Sequence, residues 1–217
     1  MKALLLDLDD TLVDERHAVR MAFSAFIEAH RDCFQDVSDE TLHSRWREVT
    51  LRHWVRCERG EVSFQDQRRH RLREFLDRPL TDAEADEAFA PYRSTYLASL
   101  RLFEDVPIFL ARTEHLARII VTNGDRPLQE RKMEATGLSS QVTAMLTPMD
   151  CDSWKPDPGI FVSALEKLGV AADQCAMIGD DEVRDIEPAR KLGMQAFRVA
   201  AGHPERTLLK ALEALSI

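Results

Sequence analysis

Asp7 and Asp9 stand two positions apart at the end of the apolar run Ala3-Leu4-Leu5-Leu6. Alternation in an extended chain points such a pair to one side. Two carboxylates held together raise each other's pKa and both lose hydration, so folding alone gives no reason to pair them. A divalent cation, or a division of labour between a nucleophile and an acid, supplies one. Three further polar groups follow apolar runs in the same way. Thr122-Asn123-Gly124-Asp125 follows Ile119-Ile120-Val121, Lys155-Pro156-Asp157-Pro158 comes after Met145-Leu146, and Gly179-Asp180-Asp181, with Asp185 beyond, follows Ala176-Met177-Ile178. Each alone reads as a turn, a solvated lysine or a helix cap. In this order, each beyond an apolar run, they read as one site.

Positioning them requires short buried strands alternating with helices. The runs at 3–7, 118–122, 143–147, 175–179 and 195–199 have strand character, and helical patterns cover 126–136, 158–168, 183–192 and 205–215. That alternation predicts an α/β fold, a Rossmann-like parallel sheet whose ligands lie outside the carboxyl ends of the strands. The stretch from about residue 15 to residue 100 is helical throughout. Helices are expected over 18–29, 38–56 and 63–75, and from a Thr81 cap through Tyr96. The chain is therefore expected to form a core from 1–14 and 101–217, with an inserted α-helical cap domain over 15–100.

Asp7-Leu8-Asp9-Asp10-Thr11-Leu12, Thr122-Asn123, Lys155-Pro156-Asp157-Pro158-Gly159-Ile160-Phe161 and Gly179-Asp180-Asp181-Glu182-Val183-Arg184-Asp185 resemble, in order, the four motifs of the haloacid dehalogenase-like (HAD) hydrolase superfamily. An insert after the first motif resembles the cap of its subfamily I. Leu6 stands where many relatives carry Phe, a change expected to alter packing only. The resemblance implies that Asp7 attacks phosphorus to form an aspartyl-phosphate and that Asp9 serves as general acid, then base. It implies that Asp7, the backbone carbonyl of Asp9 and Asp180 hold Mg2+, a hard cation suited to oxygen ligands. Thr122 and the amides of Asn123 and Gly124 would hold phosphate oxygens, and Lys155 would offset the repulsion between carboxylate and phosphate. Thr11, Asp181 and Asp185 would support them from behind. Dehalogenases resembling this chain lack the second aspartate of the first motif, so Asp9 favours phosphatase chemistry. A phosphomutase uses the same residues, and a non-enzymatic phospho-ligand-binding protein would keep the fold after losing some of them; both stay open as alternatives.

Substrate choice is expected to lie in the insert, with hinges near 13–16 and 99–103. The break at Gly60 is the expected loop toward the substrate, and Arg56, Arg59 and Glu61 flank it. Arg59 is the candidate substrate-binding residue there. Arg45, Arg47, Arg52, Arg68, Arg69, Arg71 and Arg73 read as a solvated face, and Trp46, Trp54, Tyr92 and Tyr96 as the core of the insert. His17 and Arg20 read as surface or packing residues.

The chain has 217 residues and a formal net charge of −9, which argues against a general nucleic-acid binder. No apolar stretch is long enough to span a bilayer, and Met1-Lys2 with four apolar residues is too short for a leader, so a cytoplasmic location is expected. Cys33, Cys57, Cys151 and Cys175 are too scattered for a disulfide framework or a zinc site. The expected partner is a small phosphorylated metabolite, with no nucleic acid and no membrane, and the expected state is a monomer or homodimer.

Overall fold

A computed structural model describes residues 1–200 and 207–215. In chain order it contains β1 (Ala3–Leu6), α1 (Glu15–Ala29), α2 (Asp39–Glu58), α3 (Phe64–Leu76), α4 (Asp82–Ala88), α5 (Ala90–Ala98) and α6 (Val106–Arg112). There follow β2 (Ala117–Val121), α7 (Arg126–Thr136), β3 (Ala144–Leu146), α8 (Pro148–Cys151), α9 (Pro158–Leu168) and β4 (Cys175–Gly179). A π-helical turn (Glu182–Ile186) then runs into α10 (Glu187–Lys191), before β5 (Gln195–Arg198) and α11 (Leu209–Ala214). Of the helix expected over 205–215, positions 205 and 206 lie outside the described residues. The chain divides into two compact units, Met1–Arg16 with Leu100–Ile217, and His17–Ser99.

The first unit is built on a five-stranded parallel sheet in the order β3-β2-β1-β4-β5. Its central strand, β1, is fully buried, with Leu5 level with Ile119 on one side and Met177 on the other. Alternate residues serve opposite faces. Leu4 and Leu6 pack with Phe109, Ile120, Met133 and Leu212, whereas Ala3 and Leu5 pack with Val121, Ile160, Phe161 and Met177. Burial on both faces explains why β1 reads as a continuous apolar run and not as an alternation. Each buried leucine contributes about 1.5–3 kcal/mol. After β1 the chain first adds strands on one side and then crosses to add β4 and β5 on the other. The topological switch therefore falls at β1, where ligands of open α/β sheets bind.

The segments that leave and re-enter this unit are tied to each other. The Asp14 N–H donates to the Arg101 carbonyl (3.0 Å), the Arg101 guanidinium to the Asp14 carboxylate (2.6 Å), and the Phe103 N–H to the Leu12 carbonyl (3.1 Å).

In the second unit, Phe23, Phe26, Trp46, Phe75 and Tyr92 form an aromatic core, with Trp46 and Phe75 centroids 4.9 Å apart. Ser38, Ser63 and Thr81 cap α2, α3 and α4 through their side-chain oxygens. Trp46, Tyr92 and Tyr96 are buried as expected, whereas Trp54 is half-buried and donates to Glu58. Two expectations need correction. The helix from Thr81 breaks at Phe89 into α4 and α5, because Pro91 has no N–H to continue the ladder. Arg71 is not on a solvated face: it is 8% exposed, 4.7 Å over the Trp46 ring and 5.2 Å over Phe89. The aromatic faces attract its charge. Burial nonetheless pulls its pKa down to about 10.

Candidate active site

Beyond Leu6 the ladder continues for one bond, from the Asp7 N–H to the Ile178 carbonyl (2.9 Å), which fixes Asp7 at the middle of the sheet edge. The chain then turns sharply. Leu8 is fully buried, and Asp10 takes a left-handed conformation (φ 57°) that aspartate tolerates better than most residues. The Asp10 carboxylate accepts from the backbone N–H (3.0 Å) and Nε (3.1 Å) of Arg16, tying the turn to the start of α1. Fully buried Thr11 donates its hydroxyl to Asp7 Oδ2 (3.0 Å).

Lys155 reaches Asp7 from the segment that follows β3 and α8. Its Nζ lies 2.6 Å from Asp7 Oδ1 and 2.7 Å from Asp185 Oδ1, and its side chain is 4% exposed. Burial opposes the lysine charge, but Asp185 and Asp7 outweigh it and hold its pKa above the ordinary value. Asn123 holds the Lys155 backbone at both ends: the Lys155 N–H donates to Asn123 Oδ1, and Asn123 Nδ2 donates to the Lys155 carbonyl, each at 2.7 Å. The Asn123 side chain is thus committed to placing the lysine. The neighbouring Gly124 N–H donates to Thr122 Oγ1 (3.1 Å).

Asp7, Asp180 and Asp185 offer carboxylate oxygens that lie within 4.8 Å of one another. Burial, with the charges of Asp185 and Asp180, holds the Asp7 pKa well above the carboxylate range despite Lys155. Burial likewise pushes Asp180 up to about 6, helped by Asp185 and Asp10. Three carboxyl groups thus share one ammonium, and a bound cation would offset the burial and repulsion that disfavour the charged forms of Asp7 and Asp180. The donor set is all hard oxygen, which fits a small divalent ion such as Mg2+. Asp181, adjacent to Asp180, is turned elsewhere: its Oδ1 accepts from the Val183 and Arg184 N–H groups and caps the π-helical turn. The Asp181 N–H in turn donates to Asp185 Oδ2 (3.2 Å). Gly179 makes room for Asp185, since a Cβ there would lie 2.2 Å from Asp185 Oδ2.

Asp9 takes a separate set of partners from Asp7. Gln129 Nε2 donates to its Oδ2 (2.8 Å) and Lys132 Nζ to its Oδ1 (2.6 Å). Burial would raise its pKa, but the Lys132 charge and the hydrogen bonds of Lys132 and Gln129 bring it below the ordinary value. Gln129 and Lys132 were not anticipated from sequence, because a Gln and a Lys on a charged helix carry no motif. Their spacing of three along α7, next to a candidate motif, is the signal that was available. Arg59 belongs to the second unit, at the end of α2, with its side chain 70% exposed and 3.9 Å from Glu61.

A family model described as haloacid dehalogenase-like hydrolase matches residues 1–193. The chain is 30% identical to a phosphoserine phosphatase of Thermus thermophilus, over 93% of this chain and 90% of that one. It is 28% identical to an N-acylneuraminate-9-phosphatase of Rattus norvegicus, over 90% of this chain and 81% of that one. Among solved structures, a HAD-hydrolase of Bacillus subtilis bound to magnesium superposes with a TM-score of 0.81 at 20% identity, covering 100% of this chain and 99% of the other. With the four motifs gathered at one sheet edge and the family model spanning most of its length, the chain belongs to the haloacid dehalogenase-like hydrolases.

Proposed function

We propose that this hydrolase is a Mg2+-dependent phosphatase of small phosphomonoesters that works through an aspartyl-phosphate. The observation that carries the reading is the buried Lys155 ammonium held between Asp7 and Asp185, with Asp180 completing an acidic cluster. Phosphoryl transfer needs an in-line nucleophile, positive charge against the phosphate oxygens and a proton for the leaving group. Asp7 attacks phosphorus and the ester oxygen departs. Asp9, in its protonated form, gives that oxygen a proton and then takes one from the water that cleaves the aspartyl-phosphate. Lys155 supplies fixed positive charge beside the nucleophile, and Thr122 with the Asn123 and Gly124 amides orients phosphate oxygens. Asp7, the Asp9 carbonyl and Asp180 would hold Mg2+, which when bound adds positive charge facing the phosphate. Thr11, Asp181 and Asp185 keep these groups in place.

Phosphoserine and N-acylneuraminate 9-phosphate, the substrates named for the two relatives, are small phosphate monoesters, and this supports the same class here. Sugar phosphates, nucleoside monophosphates and FMN belong to the set to be tested. The helical unit acts as the cap, and Arg59 is its proposed substrate-selecting residue; Arg59→Ala should reorder a substrate panel. The deciding experiment is phosphate release from such a panel with and without Mg2+, with Asp7→Asn as the blank. Metal-dependent release that disappears in the blank supports the reading. Isomerised product without phosphate release would overturn it.

A further inference from the structure

Asp9 is gripped at both carboxylate oxygens by one helix. Lys132 Nζ meets Oδ1 at 2.6 Å and Gln129 Nε2 meets Oδ2 at 2.8 Å, from side chains 2% and 0% exposed. Burying a lysine is costly unless it is paired, and this one also meets Glu15 Oε1 (3.2 Å), at the first residue of α1. Gln129 makes a second bond, to Thr122 Oγ1 (2.8 Å), so the same amide touches the proposed acid and the proposed phosphate ligand. Space for that amide comes from Gly124, where a Cβ would lie 2.0 Å from Gln129 Nε2.

We infer that Lys132 and Gln129 are positioning residues for Asp9, fixing where the proton-transferring carboxylate stands relative to the departing ester oxygen; the inference rests on the phosphatase reading. A general acid must lie within hydrogen-bond reach of the atom it protonates, and a carboxylate bonded at one oxygen only is free to rotate away. Neither residue touches the substrate. In phosphoryl transfer to Asp7 the effect of Lys132 passes through Asp9 and falls on esters whose leaving group needs a proton, whereas Gln129 also holds Thr122 and so bears on every ester.

The test compares kcat/KM, which reports phosphoryl transfer to Asp7, for p-nitrophenyl phosphate and for the best alkyl phosphate of the panel. Nitrophenolate leaves without a proton; an alkoxide does not. Lys132→Met should lower kcat/KM for the alkyl ester about 10- to 100-fold, the scale of a misplaced general acid, and leave the aryl ester within about threefold. Lys132→Arg, which keeps the charge, should recover part of the loss. In an Asp9→Asn background Lys132→Met should cost nothing further on the alkyl ester, as expected if it acts only through Asp9. Should Lys132→Met fail to fold, Lys132→Gln, which keeps a polar group in the same space without the charge, should show the same selectivity between esters. Equal losses on both esters, or an undiminished loss in the Asp9→Asn background, would overturn the inference and leave the phosphatase reading standing. A wild-type protein that releases phosphate from neither ester overturns the phosphatase reading itself, and the positioning role falls with it.

Discussion

Asn123 and Gly179 show how much of the site is made by residues with no chemistry of their own. Asn123 bonds both the N–H and the carbonyl of Lys155, so its loss strands two buried backbone groups and loosens the lysine between Asp7 and Asp185. Asn123→Ala should lower stability by about 1–3 kcal/mol in denaturant melts, the cost of leaving a buried polar group unpaired. It should also lower kcat more than KM changes; an unaltered kcat would mean that the lysine is placed by other contacts. Gly179→Ala drives a methyl into the Asp185 carboxylate and should cost roughly 1–3 kcal/mol by overpacking, read in the same melts. Wild-type stability in that variant would show that Asp185 yields without penalty. Asp7, Asp9, Lys155 and Asp180 were legible because carboxylates and a lysine stood after apolar runs in a recognisable order. The partners of Asp9 were not, since they depend on which face of α7 meets the β1 turn, and that follows only from the sheet order and the packing of Met133 beneath it.

At the scale of elements, strands were easier to read than helices. Burial on both faces gave β1 and β4 uninterrupted apolar runs bounded by polar residues. By contrast, α6 is a short helix, Val-Pro-Ile-Phe-Leu-Ala-Arg, whose run of apolar residues shows no helical period, and it was not foreseen. The π-helical turn was also not foreseen; it arises where Asp181 caps the chain and Asp185 is brought back against Gly179. In the helical unit, α2 and α3 are joined through His53. Its Nε2 meets Glu74 Oε2 at 2.8 Å and so donates, while Arg56 donates to Nδ1 at 3.4 Å, a pattern that only the neutral ring satisfies. Burial, with the charges of Arg56, His70, Arg52 and Arg71, brings the His53 pKa down to about 4. The unfolded ring protonates near pH 6.5, so between about 6.5 and 4 the unfolded state binds more protons. Stability from this residue is therefore complete above pH 6.5 and is lost as pH falls toward 4. Trp46 and Trp54 lie in this unit, so tryptophan fluorescence melts across that range should show the decline. A His53→Gln variant should flatten it; an equal decline in the variant would assign it to other groups.

For the whole molecule, the formal charge of −9 and the two-unit division bear on how the site is kept in working order. Among the described residues no helix is long and apolar enough to cross a membrane. Every residue proposed for the chemical steps belongs to the first unit, which leaves the second free to vary with the substrate. The first unit gathers Asp7, Asp180 and Asp185 around one Lys155, and in the metal-free protein this arrangement carries uncompensated repulsion between carboxylates. A cation that binds the folded protein and not the unfolded chain stabilises it by mass action, by about 2.7 kcal/mol at a hundredfold excess over its dissociation constant. Mg2+ should therefore raise Tm in calorimetric melts, and a chelator should reverse the gain. Asp180→Asn removes one carboxylate from the cluster, so the metal-free variant should melt higher than the metal-free wild type, while losing most of the Mg2+-dependent increment. These two effects have opposite signs in the same variant. An Asp180→Asn protein that keeps the full increment would place the cation elsewhere, and one that melts lower without metal would show that the cluster is held by bonds stronger than its repulsion.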